Sequence, residues 1–229
     1  IKDNTYIIIT LSLRPEIINN LNKMNENVRL IENFIKYFKN KKNLKIIFFS
    51  TVEVYGVGNK NIITEKSTLR ATNFYAKSKI ISEKLLIKNF KKNDLIIFRL
   101  PGVYGPNDNY KSTIGKMIKS AKIKKIINIY NTELKRDYVY IDDINIIVQY
   151  CIINKIFGIY NLVKGRSENL ENIANKIKFF TNSNIDYTSK LYENKPKNLI
   201  FNNVKIKQIL KKFIFTSTKK GIKKYLNNL

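Results

Sequence analysis

A tyrosine and a lysine four residues apart, Tyr75 and Lys79, are the pair of side chains best suited to chemistry in this sequence. Residues at positions i and i+4 of a helix lie on one face, so the phenol and the ammonium would be neighbours. A nearby positive charge favours the phenolate and lowers the pKa of a tyrosine from its usual value of about 10. This spacing therefore predicts that Tyr75 is a general base.

The motif is short, and a chain with 14 Tyr and so many Lys contains about two such pairs by chance. A second pair, Tyr37 and Lys41, falls at the end of a predicted helix, and we interpret it as a chance match. The pair of Tyr75 and Lys79 differs from the second pair in its context. A buried strand, Lys45 to Ser50, comes before it, and the hydroxyl of Thr51 directly follows that strand. The carboxyl ends of parallel strands line the crevice where such sheets bind ligands.

Thr51 could therefore hydrogen-bond the substrate oxygen that Tyr75 deprotonates; ordinary capping of a strand end is the alternative interpretation. Further along, Arg136 opens the segment Arg-Asp-Tyr-Val-Tyr-Ile-Asp-Asp. Its guanidinium fork suits a phosphate, although a surface ion pair with Asp137 or Asp142 would also explain it.

The elements that carry these residues alternate between strands and helices. The patterns predict strands at 6–12, 45–50 and 95–100. They predict a helix at 16–38, interrupted by a polar patch at 19–27, and a second helix at 74–90, which a loop at 56–73 precedes. The helix at 74–90 is expected to bury Ala76, Ile80, Ile87 and Phe90. Strands separated by helices indicate a parallel sheet with helices on both faces.

The second half of the chain is less regular. Helices are predicted at 112–123, after Asp142 or Asp143, from Ser167 to about Phe180, at 204–212 and at 217–226. Short strands are predicted at 126–130, 138–141 and 159–163. We expect residues 1–105 with about 138–155 to form a Rossmann-like part, and residues 106–137 and 156–229 to form a smaller α+β substrate-binding part.

The net charge of +26 suggests an anionic partner, but only six of the 43 basic residues are Arg. Readers of nucleic acids depend on Arg for bidentate contacts, so we interpret the even bias towards Lys, Ile and Asn as compositional drift with a preference for anionic ligands. One Cys and no His exclude an intramolecular disulfide and Cys- or His-based metal sites, and no metal is expected. No apolar run is long enough to span a bilayer, and the lone Cys and the lack of a signal segment favour the cytoplasm.

Four ordered blocks resemble the extended short-chain dehydrogenase/reductase family, in particular its nucleotide-sugar epimerases and dehydratases. The blocks are Ser50-Thr-Val-Glu-Val-Tyr-Gly56, Tyr75-Ala-Lys-Ser-Lys79, Arg99-Leu-Pro-Gly-Val-Tyr-Gly-Pro106 and Arg136-Asp-Tyr-Val-Tyr-Ile-Asp-Asp143. Similarity continues at Gly158-Ile-Tyr-Asn161, at the Ser167 helix and at Thr216 to Gly221, so it covers nearly the whole chain. The resemblance implies NAD or NADP as cofactor, a nucleotide-diphosphate sugar as substrate, and a homodimer through helices near 25–40 and 74–90.

The resemblance also implies roles for single residues. Tyr75 would be the base, Lys79 would lower its pKa and bind the nicotinamide ribose, and Thr51 would orient the sugar hydroxyl. Cofactor contacts would come from Leu11, Ser12, Asn27 and Pro101, and substrate contacts from Gly102 and Arg136, although many members have Asn where this chain has Gly102.

Two departures from the family pattern affect the predicted reaction. The glycine-rich Gly-x-x-Gly-x-x-Gly turn that holds the pyrophosphate is absent from this sequence, so we expect a fragment that begins with Ile, lacks about 60–70 residues and binds the cofactor poorly as it stands. Glu53 lies two residues after Thr51, where dehydratases of the family place an acid. The leading prediction is an epimerase that acts through a transient 4-keto sugar. A 4,6-dehydratase using Glu53 or a 4-keto-sugar reductase is the alternative, and a basic nucleic-acid-binding protein on a degenerate scaffold is the alternative of another class.

Overall fold

The computed structural model describes residues 5–13, 15–56, 62–129, 132, 134–187 and 198–229. Two compact units are built from the chain, one from Ile1–Leu100 with Gln149–Leu162 and the other from Pro101–Val148 with Val163–Leu229. In chain order the strands are β1 (Thr5–Ile9), β2 (Leu44–Thr51), β3 (Leu95–Leu100), β4 (Gly102–Tyr104), β5 (Ile126–Ile129), β6 (Lys135–Arg136), β7 (Tyr138–Tyr140), β8 (Gly158–Asn161), β9 (Glu168–Asn169) and β10 (Asn184–Tyr187). The α-helices are α1 (Leu21–Phe38), α2 (Phe74–Asn89), α3 (Thr113–Lys124), α4 (Ile141–Ile153), α5 (Leu170–Thr181), α6 (Val204–Leu210) and α7 (Thr218–Asn227), and 3-10 turns lie at Val52–Tyr55 and Lys92–Asp94.

A parallel sheet in the order β1-β2-β3-β8 forms the centre of the first unit. Ile46 and Ile47 on β2 and Ile96 and Ile97 on β3 are all fully buried, so both faces of the two central strands are covered. Strands covered on both faces have continuous apolar sequences, which is the pattern that predicted them. The parallel sheet confirms the α/β prediction. The sheet of the first unit also includes β8. The predicted boundary at residue 156 places this strand in the substrate-binding part instead.

Helix α1 begins later than predicted and is not interrupted. Asn20 caps it by accepting a hydrogen bond from the backbone N–H of Lys23 at 2.9 Å. The polar patch at 19–27 lies mostly inside the helix, because Met24 and Val28 continue the buried stripe through Ile31. Burial of that stripe outweighs the poor helix propensity of Asn.

Helix α2 has the predicted bounds to within one residue, and its expected apolar face is correct only in part: Ala76 is buried and Phe90 packs partly buried against the core. Ile87 is half exposed, and the buried side chains besides Ala76 and Leu86 are polar: Ser78, Lys79, Ser82 and Glu83. A buried polar face is stable only when its groups are hydrogen-bonded, and the partners of these four residues lie on α1, β2 and β3 and within α2 itself.

The second unit has its own apolar core around α3, α5 and α7, with Ile118, Ile173 and Ile222 fully buried. Its strands pair as β4 with β7 and β5 with β10 in parallel and β6 with β9 in antiparallel orientation. No described helix is both long and apolar enough to cross a membrane.

Two predicted helix caps in this half of the chain are wrong. Asn169 rather than Ser167 caps α5, because its side chain accepts from the backbone N–H of Asn172. Asp142 and Asp143 lie in the first turn of α4, where Asp143 accepts hydrogen bonds from Thr216 instead of capping the helix. Tyr130 of the predicted strand at 126–130 and residues 57–61 of the predicted loop lie outside the described residues.

Gly56 ends the 3-10 turn that follows β2. Its φ of +60° lies in the left-handed region, and a Cβ there would come within 1.8 Å of the backbone oxygen of Arg70. This close approach lets the backbone N–H of Arg70 donate to Val54 O at 2.9 Å. Glycine is therefore required at position 56 for both its conformation and its size.

We expect Gly56→Ala to reduce the free energy of unfolding by about 1–3 kcal/mol, since the backbone strain and the contact with Arg70 both have to be relieved. Urea unfolding followed by circular dichroism measures the change. An unchanged midpoint would show that the turn can shift without cost.

Candidate active site

Tyr75 and Lys79 lie side by side in the first two turns of α2. Asn73 starts the helix by accepting a hydrogen bond from the backbone N–H of Ala76 at 2.7 Å. The Lys79 ammonium lies 5.8 Å from the centre of the Tyr75 ring and donates to Phe49 O on β2 at 3.0 Å. Lys79 is only 4% exposed, whereas Tyr75 is partly exposed. The Lys79 ammonium is therefore held against the carboxyl end of β2, and the phenol group of Tyr75 beside it is mostly buried.

Thr51 and Glu53 are joined to this helix through Asn73. The Thr51 hydroxyl accepts a hydrogen bond from the backbone N–H of Glu53 at 3.2 Å, which is the capping contact that the sequence left open. The Glu53 carboxylate accepts from the side-chain amide of Asn73 at 2.9 Å. Asn73 was not among the predicted site residues, although an Asn one residue before an apolar helix start is the signal of such a cap.

The predicted pKa shift of Tyr75 has the wrong direction for the chain by itself. Burial raises the pKa of the phenol well above its usual value, and the negative charges of Glu53 and Glu16 raise it further. Burial also lowers the pKa of the Lys79 ammonium to about 8, although the charge of Glu83 acts in the opposite direction. Burial makes the charged form of Lys79 unfavourable, and its ammonium donates its hydrogen bond to Phe49 O. It therefore does not bring the Tyr75 phenol to its base form.

Asn27 connects α1, α2 and the segment after β1. Its side-chain oxygen accepts from the backbone N–H of Leu13 at 2.8 Å, and its amide donates to the hydroxyl of Ser78 at 2.8 Å. Ser78 in turn donates to Tyr75 O at 2.7 Å. Asn27, predicted to touch the cofactor, thus uses both ends of its side chain to hold the turn that carries Tyr75.

Leu11 and Ser12 lie between β1 and the anchored Leu13. The Leu11 side chain is 54% exposed, and the Ser12 hydroxyl donates to Leu13 O at 2.9 Å. An exposed leucine at the carboxyl end of a parallel strand is available for an apolar ring of a ligand.

The remaining candidates, Pro101, Gly102 and Arg136, belong to the second unit. Gly102 pairs with Tyr138 across β4 and β7, and its backbone N–H donates to the O of Asp137, the residue after Arg136, at 3.3 Å. A Cβ on Gly102 would come within 2.7 Å of the Tyr138 ring, which makes the glycine a packing requirement. The Arg136 guanidinium donates to Lys135 O at 2.9 Å.

The donor set of the first unit fits the nicotinamide-ribose end of a pyridine dinucleotide. A lysine ammonium has three N–H donors, and the contact with Phe49 O is the one hydrogen bond found for Lys79 among the described residues. Two donors therefore remain for hydroxyl groups of a ligand. The sequence has no counterpart of the glycine-rich turn that binds a pyrophosphate, so these residues fit one end of the cofactor only.

Comparison with known proteins identifies the class. The model of the NAD dependent epimerase/dehydratase family matches residues 7–163 of the chain. The chain belongs to this family, and the resemblance to the extended short-chain dehydrogenases/reductases is confirmed.

Individual relatives differ in their reactions. The chain is 34% identical over 191 residues to a dTDP-D-glucose 4,6-dehydratase of Dictyostelium discoideum, which covers 74% of this chain and 41% of the relative. It is 27% identical over 177 residues to an ADP-L-glycero-D-manno-heptose-6-epimerase of Brachyspira hyodysenteriae. That match covers 69% of this chain and 55% of the relative. The chain thus spans about half the length of the curated relatives it matches. The fold is also that of a UDP-glucuronic acid 4-epimerase from Bacillus cereus, with a TM-score of 0.80, 19% identity and coverage of 95% of this chain and 72% of that one.

We expect the Lys79 side chain to titrate with a midpoint near pH 8, because burial disfavours its charged form. An exposed lysine titrates near pH 10.4, so the midpoint of Lys79 should be clearly lower than that of an exposed lysine. Carbon-13 NMR of the lysine side chains, with the Lys79 signal assigned by its loss in Lys79→Arg, measures the midpoint. A Lys79 midpoint at or above 10 would contradict the burial of the ammonium.

We expect Asn27→Ala to reduce the free energy of unfolding by about 1–3 kcal/mol, since Leu13 N–H and the Ser78 hydroxyl would each lose a hydrogen-bond partner. Asn27→Asp should also destabilise the protein, because a carboxylate cannot donate to Ser78. Asn33→Ala, at an exposed position of the same helix, is the control and should be neutral within about 0.5 kcal/mol. Equal stabilities of the Asn27→Ala and Asn33→Ala proteins in urea would rule out the connecting role.

Proposed function

We propose that this chain carries the catalytic residues of an NAD(P)-dependent nucleotide-sugar epimerase that acts through a transient 4-keto sugar. The proposal depends above all on one observation: in a member of this family, the partly exposed residue Tyr75 lies beside the buried Lys79 ammonium at the carboxyl end of β2. Thr51 ends the same strand, and Asn73 ties its segment to the helix of Tyr75. Membership of the family and relatives named as epimerases support the reaction class.

In the proposed reaction Tyr75 removes the proton of the sugar 4-hydroxyl while the hydrogen on C4 leaves as hydride. A nicotinamide cofactor held through Lys79 would supply the redox chemistry, as acceptor and later donor of this hydride. Tyr75 then returns the proton, so atoms and electrons balance over the cycle. Thr51 orients the hydroxyl, and Lys79 holds ribose hydroxyls of the cofactor.

The raised pKa of Tyr75 requires that its base form arise in the loaded site. Burial and the charges of Glu53 and Glu16 keep the phenol protonated in the chain alone. An oxidised pyridinium ring carries a positive charge, which would act against the two carboxylates and lower the pKa of a nearby phenol. The protonated phenol is already suited to the reverse step, in which Tyr75 donates a proton to the 4-keto oxygen.

The substrate would be a nucleotide-diphosphate sugar. Arg136 directly precedes Asp137, whose carbonyl accepts from Gly102 N–H in the second unit, and a guanidinium is the side chain that best matches phosphate oxygens. The charge of +26 would also attract such an anion from solution. The homodimer expected from the family stays a prediction.

A 4,6-dehydratase is the second candidate, and the position of Glu53 favours it. Its carboxylate is fixed by Asn73 at the start of the Tyr75 helix and is close enough to raise the pKa of the phenol. A carboxylate there could remove the C5 proton while water leaves C6. One of the relatives is named as a dehydratase of this kind.

The test uses the protein expressed with all coding sequence continuous with this chain, incubated with NAD or NADP and UDP-, GDP- and dTDP-hexoses. We expect epimerised sugar by NMR, and a fall in kcat of about 10²–10⁴-fold for Tyr75→Phe with the fold retained. Tyr37→Phe, in the second Tyr-x-x-x-Lys motif on the exposed end of α1, is the matched control and should keep full activity.

The products separate the candidates. Loss of one water from the hexose, abolished by Glu53→Gln, would select the dehydratase, and net consumption of NADPH would select a reductase. If the protein binds neither cofactor and converts none of these sugars, the proposed function fails. Filter binding to RNA over a salt series would then test the nucleic-acid alternative, because real phosphate contacts give a steep salt dependence.

A further inference from the structure

A network of buried polar side chains lies at the same edge of the sheet as the candidate active site. Its centre is an ion pair between Glu83 on α2 and Arg99 on β3, which are 1% and 4% exposed. Arg99 donates from Nε to both carboxylate oxygens at 3.1 and 3.2 Å and from Nη2 to one of them at 2.6 Å. None of these atoms belongs to the residues assigned a catalytic role above.

Two further branches leave the ion pair. Glu83 also accepts a hydrogen bond from the Ser50 hydroxyl at 2.5 Å. Arg99 donates from Nη1 to the Tyr55 hydroxyl at 2.7 Å, and Tyr55 donates to the side-chain oxygen of Asn161 on β8 at 2.7 Å. The pair thus connects β2, β3, β8, α2 and the 3-10 turn.

Each branch includes a residue that lies close to the site in the chain. Ser50 directly precedes Thr51, and Tyr55 closes the 3-10 turn that contains Glu53. Glu83 follows Lys79 by one helical turn, so it lies on the same face of α2. The segment from Thr51 to Glu53 is therefore fixed at both of its ends. Helix α2 is fixed to β2 by two contacts one helical turn apart: Lys79 donates to Phe49 O, and Ser50 donates to Glu83.

Stability alone does not account for this arrangement. Replacement of a buried ion pair by apolar residues of similar volume is often neutral or stabilising, because removing two charges from water is expensive. A buried pair does, however, impose one geometry, since its hydrogen bonds can be made in one register of helix and strand only. The carboxylate of Glu83 also acts on the charge of Lys79 from one turn away.

We propose that Glu83 and Arg99 are positioning residues that hold Thr51, Tyr75 and Lys79 in the arrangement required for reaction. The inference rests on the proposed function for its kinetic consequences. Its geometric content, that Glu83 supports Lys79 and fixes α2 against β2, is independent of which sugar reacts.

Three variants and a control test the proposal. Glu83→Gln retains the shape of the side chain but removes its charge. Arg99→Lys retains the charge but removes the fork that reaches both Glu83 and Tyr55. The double variant Glu83→Leu with Arg99→Met replaces the pair by apolar side chains. Asp94→Asn is the control, because the ion pair of Lys45 and Asp94 joins the opposite, amino-terminal ends of the same strands and touches none of the site residues.

With the full-length protein, kcat should fall about 100-fold in the double variant while KM for the sugar changes little, because small errors in the position of catalytic groups have effects of that size. Its midpoint of unfolding in urea should stay close to that of the unmodified protein. Loss of kcat without loss of stability is an outcome that a merely structural pair would not produce. Unchanged kcat in a stable double variant would overturn the proposal.

A second measurement does not depend on activity. The NMR midpoint of Lys79 should move to lower pH in Glu83→Gln and stay in place in Asp94→Asn, since only the former removes a negative charge near the ammonium. This holds even if no sugar is converted, so failure of the proposed function and failure of the positioning role can be told apart. If the double variant does not fold, the kcat of Arg99→Lys and the Lys79 midpoint of Glu83→Gln decide the question. An unchanged Lys79 midpoint in Glu83→Gln also overturns the proposal.

Discussion

The ion pair of Glu83 and Arg99 is the constraint on which the carboxyl edge of the sheet depends. Two opposite charges removed from water are tolerable only when they are paired and hydrogen-bonded, and here the network around them spans three strands, one helix and the 3-10 turn. The relative placement of β2, β3, β8 and α2 is therefore restricted much more tightly than apolar packing alone would require. The neighbouring chain segments that carry Thr51, Glu53 and Lys79 share that restriction.

The same burial that orders the site makes its charges expensive. The ammonium of Lys79 becomes easier to deprotonate, and the phenol of Tyr75 becomes harder to ionise, for the same physical reason: both charged forms lose contact with water. For the function proposed above, the raised pKa means that Tyr75 would become a base only when a bound ligand adds positive charge near the phenol.

The strands specified by apolar patterns were predictable from the sequence, and the buried polar face of α2 was not. Leu44–Thr51 and Leu95–Leu100 are continuous apolar runs, so both parallel strands followed from the sequence, as did the i,i+4 placement of Tyr75 and Lys79. Ser78, Ser82 and Glu83 were missed, since polar residues at helical spacing normally indicate a solvent-facing surface. One signal was available: Arg99 interrupts an otherwise apolar strand, and a charge in such a place requires a buried partner. Which acid supplies it depends on the packing of α2, which the sequence alone does not fix.

The distribution of acids explains why so large a net charge need not indicate nucleic-acid binding. The chain has only 17 Asp and Glu, and three of them, Glu83, Asp137 and Asp143, are almost completely buried, where they accept hydrogen bonds from Arg99, from the loop after Val163 and from Thr216. Acids that serve the interior cannot balance lysines at the surface. A compositional drift towards lysine would raise the net charge with no role in reading bases, while Arg99, one of the six arginines, uses its bidentate fork on Glu83 inside the protein. Under the proposed function, this charge would act at long range as an attraction for an anionic nucleotide sugar.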